Sequence, residues 1–229
     1  MTILYSSRSS EHNFRSLNFF KNLDSEIKNI VERNEELSKI GEYLGMFSDE
    51  LTKYFGTTVG FSGLNELLIL RTLYHVIECE YGTGFRPEKY TRDISVFYHK
   101  EANIVLGSNV QLRVSIDSEK ERLRPDIVIY KPKKDKINEI DKLIAAIEVK
   151  AYPVKGEDTI KNMANRLKKI QKYYKGANVV LILYSTYGVK EAKVKEICNS
   201  KGVGLIIIEN NESPVRDVFK KLIMLNNLK

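Results

Sequence analysis

The chain has 229 residues, of which 42% are hydrophobic and 29% charged, and its formal net charge is +7. That length holds one substantial core rather than two full domains. No apolar run reaches a membrane span, no apolar leader opens the chain, and Cys79 and Cys198 cannot build a disulfide framework, so composition predicts a cytoplasmic protein with no membrane partner.

The first ten residues are polar and are expected to be loose. From Phe14 to Phe55 apolar residues recur at three and four: Leu17, Phe20, Leu23, Ile27 and Ile30, then Leu37, Ile40, Leu44, Phe47 and Leu51. That spacing predicts a helical hairpin, packed on the main domain or on a second subunit. Residues 1–58 are therefore read as an N-terminal helical extension, and residues 59–229 as the main domain. A helix is predicted over 64–80, ended by Gly82-Thr83-Gly84. Residues 85–100 read as a loop with a short strand at 94–98.

Strands are predicted near 104–106, 110–116, 126–130 and 143–151. A helix follows at 158–175, then a strand at 179–184, a helix at 189–200, a strand at 203–209 and a helix from Pro214 to 225. Val179–Tyr184 and Gly204–Ile208 are apolar throughout, as strands covered on both faces are. The fold class is α/β, a central mixed β-sheet flanked by helices. Lys131-Pro132-Lys133-Lys134-Asp135-Lys136 reads as a basic flap near substrate.

Charge is unevenly placed. Residues 1–60 carry 7 basic and 9 acidic groups, whereas residues 61–229 carry 30 and 21. Seven basic groups lie between Lys155 and Lys175. Such a field attracts a polyanion. His12, His75 and His99 show no metal-ligand spacing, and neither a dinucleotide-binding nor a P-loop glycine motif is present.

Two segments carry the chemistry. Arg124-Pro125-Asp126 opens one apolar strand, and Glu148-Val149-Lys150 closes another. Period two places Glu148 and Lys150 on one face, with Ile144 and Ala146 preceding them there. If the strands are antiparallel neighbours, Asp126 abuts Glu148. Two carboxylates suit Mg²⁺, which retains water and takes phosphate oxygens. A lysine beside them can orient or deprotonate water, or stabilise charge on phosphorus.

Pro125-Asp126 followed by Glu148-Val149-Lys150 resembles the signature of the PD-(D/E)xK nuclease superfamily, which includes type II restriction endonucleases and archaeal Holliday junction resolvases. The resemblance implies a restriction-endonuclease-like core of helix, three-stranded meander, helix and strand, over residues 63–184. It implies Asp126 and Glu148 as metal ligands and Lys150 as the catalytic lysine. Glu66, on the first core helix, matches a further catalytic carboxylate and ligand, with Glu78 and Glu80 at the far end of that helix. The implied cofactor is Mg²⁺, with Mn²⁺ able to substitute, and the implied partner is DNA. Lys155, Lys161 and Arg166 on the second core helix, with Lys133 and Lys134 of the flap, are the expected nucleic-acid contacts. The short insertions favour a resolvase-like, structure-selective homodimer. A restriction-type or repair endonuclease, an RNA nuclease and a non-catalytic nucleic-acid-binding protein of the same fold are the alternatives.

Overall fold

The structure, a computed structural model, describes residues 7–55, 62–91, 95–116, 119–134, 136–151 and 156–223. It opens with three helices, α1 (Ser7–Glu32), α2 (Ser38–Phe55) and α3 (Ser62–Tyr81). α1 begins inside the stretch expected to be loose, since Ser7–Ser10 are already helical. Leu23, Ile27, Ile30 and Val31 of α1 are buried in one cluster with Leu68, Leu73 and Ile77 of α3. Of the two partners open to the N-terminal helices, the described part of α1 thus takes the main domain.

Strands β1 (Phe85–Lys89), β2 (Ser95–His99), β3 (Ile104–Ser108), β4 (Leu112–Ile116), β5 (Glu119–Leu123), β6 (Ile127–Lys133) and β7 (Lys136–Lys150) follow. Then come α4 (Glu157–Tyr173), β8 (Asn178–Leu183), α5 (Glu191–Lys201), β9 (Gly204–Ile207) and α6 (Val215–Ile223). Seven strands form one mixed sheet in the order β1-β2-β3-β6-β7-β8-β9. Pairing is antiparallel from β1 to β7 and parallel from β7 to β9. The α/β class follows directly. Residues 85–89, expected in a loop, are an edge strand. The strand expected over 110–116 leaves the main sheet and pairs with β5 as a two-stranded ribbon.

Both faces of the sheet are covered, which is why its central strands lack an apolar–polar alternation. Ile127, Ile129, Ile147, Val149 and Ile182 pack on the side of α1, α3 and α6. Val128, Tyr130, Ala146, Leu181 and Leu183 pack with Leu167 and Ile170 of α4 and Val194 of α5. The β6–β7 register shifts at three places, and the first of them alters the expected facing of a core residue. Ile129 lies opposite Ala145 but Tyr130 lies opposite Leu143, so Ile144 is the extra residue. Ile144 is buried on the α3 side, not on the face of Ala146 as strict alternation predicts. The slip precedes Ala145, so Glu148 and Lys150 keep their common face.

The turn between α1 and α2 is tied to the far end of the chain. Leu37 N donates to the Ser213 carbonyl (2.9 Å), and Val215 N donates to that of Glu35 (2.8 Å). Asn34, in the left-handed region at φ 53°, accepts a hydrogen bond from Arg216 N at 2.9 Å. It thereby satisfies an amide in the first turn of α6 that the helix itself cannot.

Candidate active site

Antiparallel pairing of Ile127 with Ile147 sets Asp126 beside the last residues of β7. Its Oδ2 accepts hydrogen bonds from Val149 N at 2.7 Å and from Lys150 Nζ at 3.2 Å. The carboxylate is thus clamped by the backbone of the very strand that carries Glu148 and Lys150. The residue after β8 brings in α3: Tyr184 N donates to the Lys150 carbonyl (3.0 Å), and Tyr184 Oη–H donates to that of Asn65 (3.2 Å). The start of α3, with Glu66, is thereby held over the ends of β7 and β8.

Glu148 lies on the α4 side of the sheet and its side chain is only 1% exposed. Its pKa is pushed up to about 7, first by burial and then by the negative charge of Asp126, against the opposing pull of Arg166 and Lys150. Arg166 Nη2 donates a hydrogen bond to the Arg124 carbonyl, 2.8 Å away, and stands 3.1 Å from Glu148 Oε1 as a charge partner. No hydrogen bond reaches Oε1 itself. Glu66 is also raised, by burial first and by Asp126 second, with Lys150 opposing.

The donor set fits a divalent cation held by two carboxylates. A buried carboxylate oxygen without a hydrogen bond, next to a second carboxylate, is a site whose charge a hard cation would balance, and Mg²⁺ ordinarily uses one or two carboxylates with water. Among the described residues, no three acidic, histidine or cysteine side chains converge into a complete ligand group. Glu66 is electrostatically within reach of Asp126 and Lys150 but does not complete a three-carboxylate cluster.

The structure brings Asp126, Glu148, Lys150 and Arg166 together, with Glu66 at their border. Arg166, expected to touch nucleic acid, pairs with Glu148 across the border of α4. Lys161 pairs with Glu157 and Asp158 of its own helix, at 3.3 and 3.7 Å. Lys133 pairs with Glu139 across the β6–β7 hairpin at 3.2 Å, and Lys134 is exposed in its turn. That turn lies at the other end of β6 from Asp126, roughly 25 Å away at strand rise. Lys155 lies outside the described residues. The Val149 amide and the Arg124 carbonyl escape sequence reasoning, since backbone groups carry no residue signature. Arg166 offers a faint one: it follows Met163 by three on α4, at the border of that helix's buried face.

Among the described residues no helix is long and apolar enough to cross a membrane. No family model matches the chain, and no curated protein matches it. Among solved structures, the crystal structure of protein VC1899 from Vibrio cholerae is similar at 17% identity with a TM-score of 0.38, covering 88% of this chain and 55% of that one. The chain thus spans little more than half the length of that protein, and so slight a likeness carries no argument about function.

Proposed function

We propose that the chain is a Mg²⁺-dependent nuclease of the PD-(D/E)xK type that hydrolyses phosphodiester bonds of DNA. The observation that carries this proposal is the junction of β6 and β7, where Asp126, the buried Glu148 and Lys150 converge although like charge and burial oppose it. Side chains so costly to place together point to chemistry rather than to packing.

On this reading Asp126 and Glu148 would hold the cation, whose chemistry would be Lewis-acid polarisation of the scissile phosphate and acidification of water. The Val149 amide fixes Asp126, leaving the remaining lone pairs of that carboxylate for a ligand. Lys150 Nζ, 3.2 Å from Asp126, donates to a phosphoryl oxygen and stabilises the charge that grows there. Arg166, 3.1 Å from Glu148 and 44% exposed, balances that carboxylate and offers its outer face to phosphate. A two-fold dimer would present two such sites to a branched DNA, which is the resolvase-like form of the proposal.

Two observations favour a second reading, a nucleic-acid-binding protein without catalysis: Arg166 already balances Glu148, and among the described residues a third carboxylate is not closely converged. A cleavage panel separates the two. It compares four-way junction, linear duplex, single-stranded DNA and RNA in Mg²⁺, Mn²⁺ and EDTA, with wild type and Glu148→Ala. Metal-dependent scission that falls at least 100-fold in the variant supports the nuclease, by the scale of lost electrostatic stabilisation. Intact substrates in both metals, or equal cutting by the variant, overturn it.

A further inference from the structure

A polar groove of about 1030 Å³ lies outside the carboxylate site, on the α4 side of the sheet between the β4–β5 ribbon and the β6–β7 hairpin. Arg124 and Lys133, which flank β6 at its two ends, both line it, and Arg113 adds a third cation from β4. All three are exposed. The acid in the wall, Glu139, is held by Lys133 and Lys136 at 3.2 and 2.8 Å, so the lining is net positive. Two tyrosines stand in the same wall. Tyr90 and Tyr174 are half-buried against the core beneath, and the Tyr174 hydroxyl donates to the Arg113 carbonyl at 3.2 Å. Gln111 and Asn138 add side-chain amides, each both donor and acceptor.

We propose that this groove binds an unpaired strand of nucleic acid and leads it to the carboxylates. The inference deepens the nuclease reading and rests on it for the direction of the strand. Cations spaced along a groove track a phosphate backbone, and aromatic faces anchored in a core hold bases that are not paired. Amides can meet the exposed edges of such bases, whereas a duplex offers those edges only within its grooves. Arg124 joins the two places. Its side chain lines the groove, its carbonyl is held by Arg166 beside Glu148, and it precedes Asp126 by two residues.

The test is fluorescence anisotropy in EDTA, where no cleavage intervenes, with a labelled single strand and a duplex of the same sequence. Wild type is expected to prefer the single strand. Tyr90→Leu, which keeps an apolar side chain over the core, should weaken that binding by roughly 5- to 100-fold, the range for one lost base–aromatic stack. Arg113→Ala, on an exposed strand position, should weaken it and flatten its salt dependence. Thermal melts confirm that both variants fold. Equal binding of duplex, or single-strand binding untouched in both folded variants, overturns the proposal. The cleavage panel reads separately: binding lost in the variants with no metal-dependent cutting by wild type leaves the groove and removes the nuclease. Glu148-dependent cutting with groove variants binding like wild type does the reverse.

Discussion

Among the described residues, Glu148 and Asp24 are the two carboxylates whose surroundings move them furthest, and in opposite directions. Glu148 rises from 4.5 to about 7 through burial first and Asp126 second. Between those two pH values the folded chain keeps a proton that the unfolded chain has released, so rising pH removes stability. Urea unfolding in EDTA should show wild type losing up to about 3 kcal/mol relative to Glu148→Gln between pH 5 and pH 8. A wild type–variant difference that is flat across that range rejects the assignment. Asp24 behaves oppositely. Burial raises it, but hydrogen bonds from His75 (3.0 Å) and Arg71 (2.5 and 2.8 Å) outweigh burial and hold it at about 2. Its contribution is full above about pH 4 and disappears as pH falls toward 2. Because its side chain is 37% exposed, Asp24→Asn is expected to cost only about 1 kcal/mol at neutral pH, measurable in the same urea titration.

At the scale of elements, Asn34 serves two helices at once. It turns the chain out of α1 in a left-handed conformation and caps α6 through Arg216 N. Asn34→Ala removes the acceptor and leaves a Cβ residue where asparagine is tolerated, so a loss of about 2 kcal/mol in a thermal or urea melt is expected. Restoration of most of that loss by Asn34→Asp but not by Asn34→Gly, which suits the left-handed backbone yet lacks the acceptor, would identify the cap as the cause. The sequence made α3 and α4 legible through apolar residues recurring at three and four, and β6, β8 and the end of β7 through short unbroken apolar runs; residues 136–142, the polar start of β7, carry no such run. It did not make β1 legible, because Phe85-Arg86-Pro87-Glu88-Lys89 is an exposed edge strand whose charges and proline resist pairing on its free side. Nor did it separate the β4–β5 ribbon, whose outward Arg113, Lys120 and Arg122 carry no sheet-specific signal. In the site, the approach of Asp126 to Lys150 followed from period two and a hairpin. The pairing of Arg166 with Glu148 depends on how α4 lies across the sheet, which no local pattern encodes.

At the scale of the molecule, the helices of residues 1–58 and the sheet share one apolar cluster. Removing residues 1–58 would take Leu23, Ile27, Ile30, Val31, Leu37 and Ile40 out of that cluster and bare what they cover, so the truncated chain is expected to lose its cooperative melt and to bind a hydrophobic dye. A truncated chain that unfolds with an undiminished cooperative transition would contradict this. The seam at α6 has a further consequence for how the protein is made. Asn34 and Arg216 are separated by 182 positions in the chain. At ribosomal speeds of about 5–20 residues per second, α1 emerges roughly 10–40 s before its last partner does. Through that interval its apolar stripe has no complete seat, and a chaperone that shields nascent helices has most to do here at the start of translation.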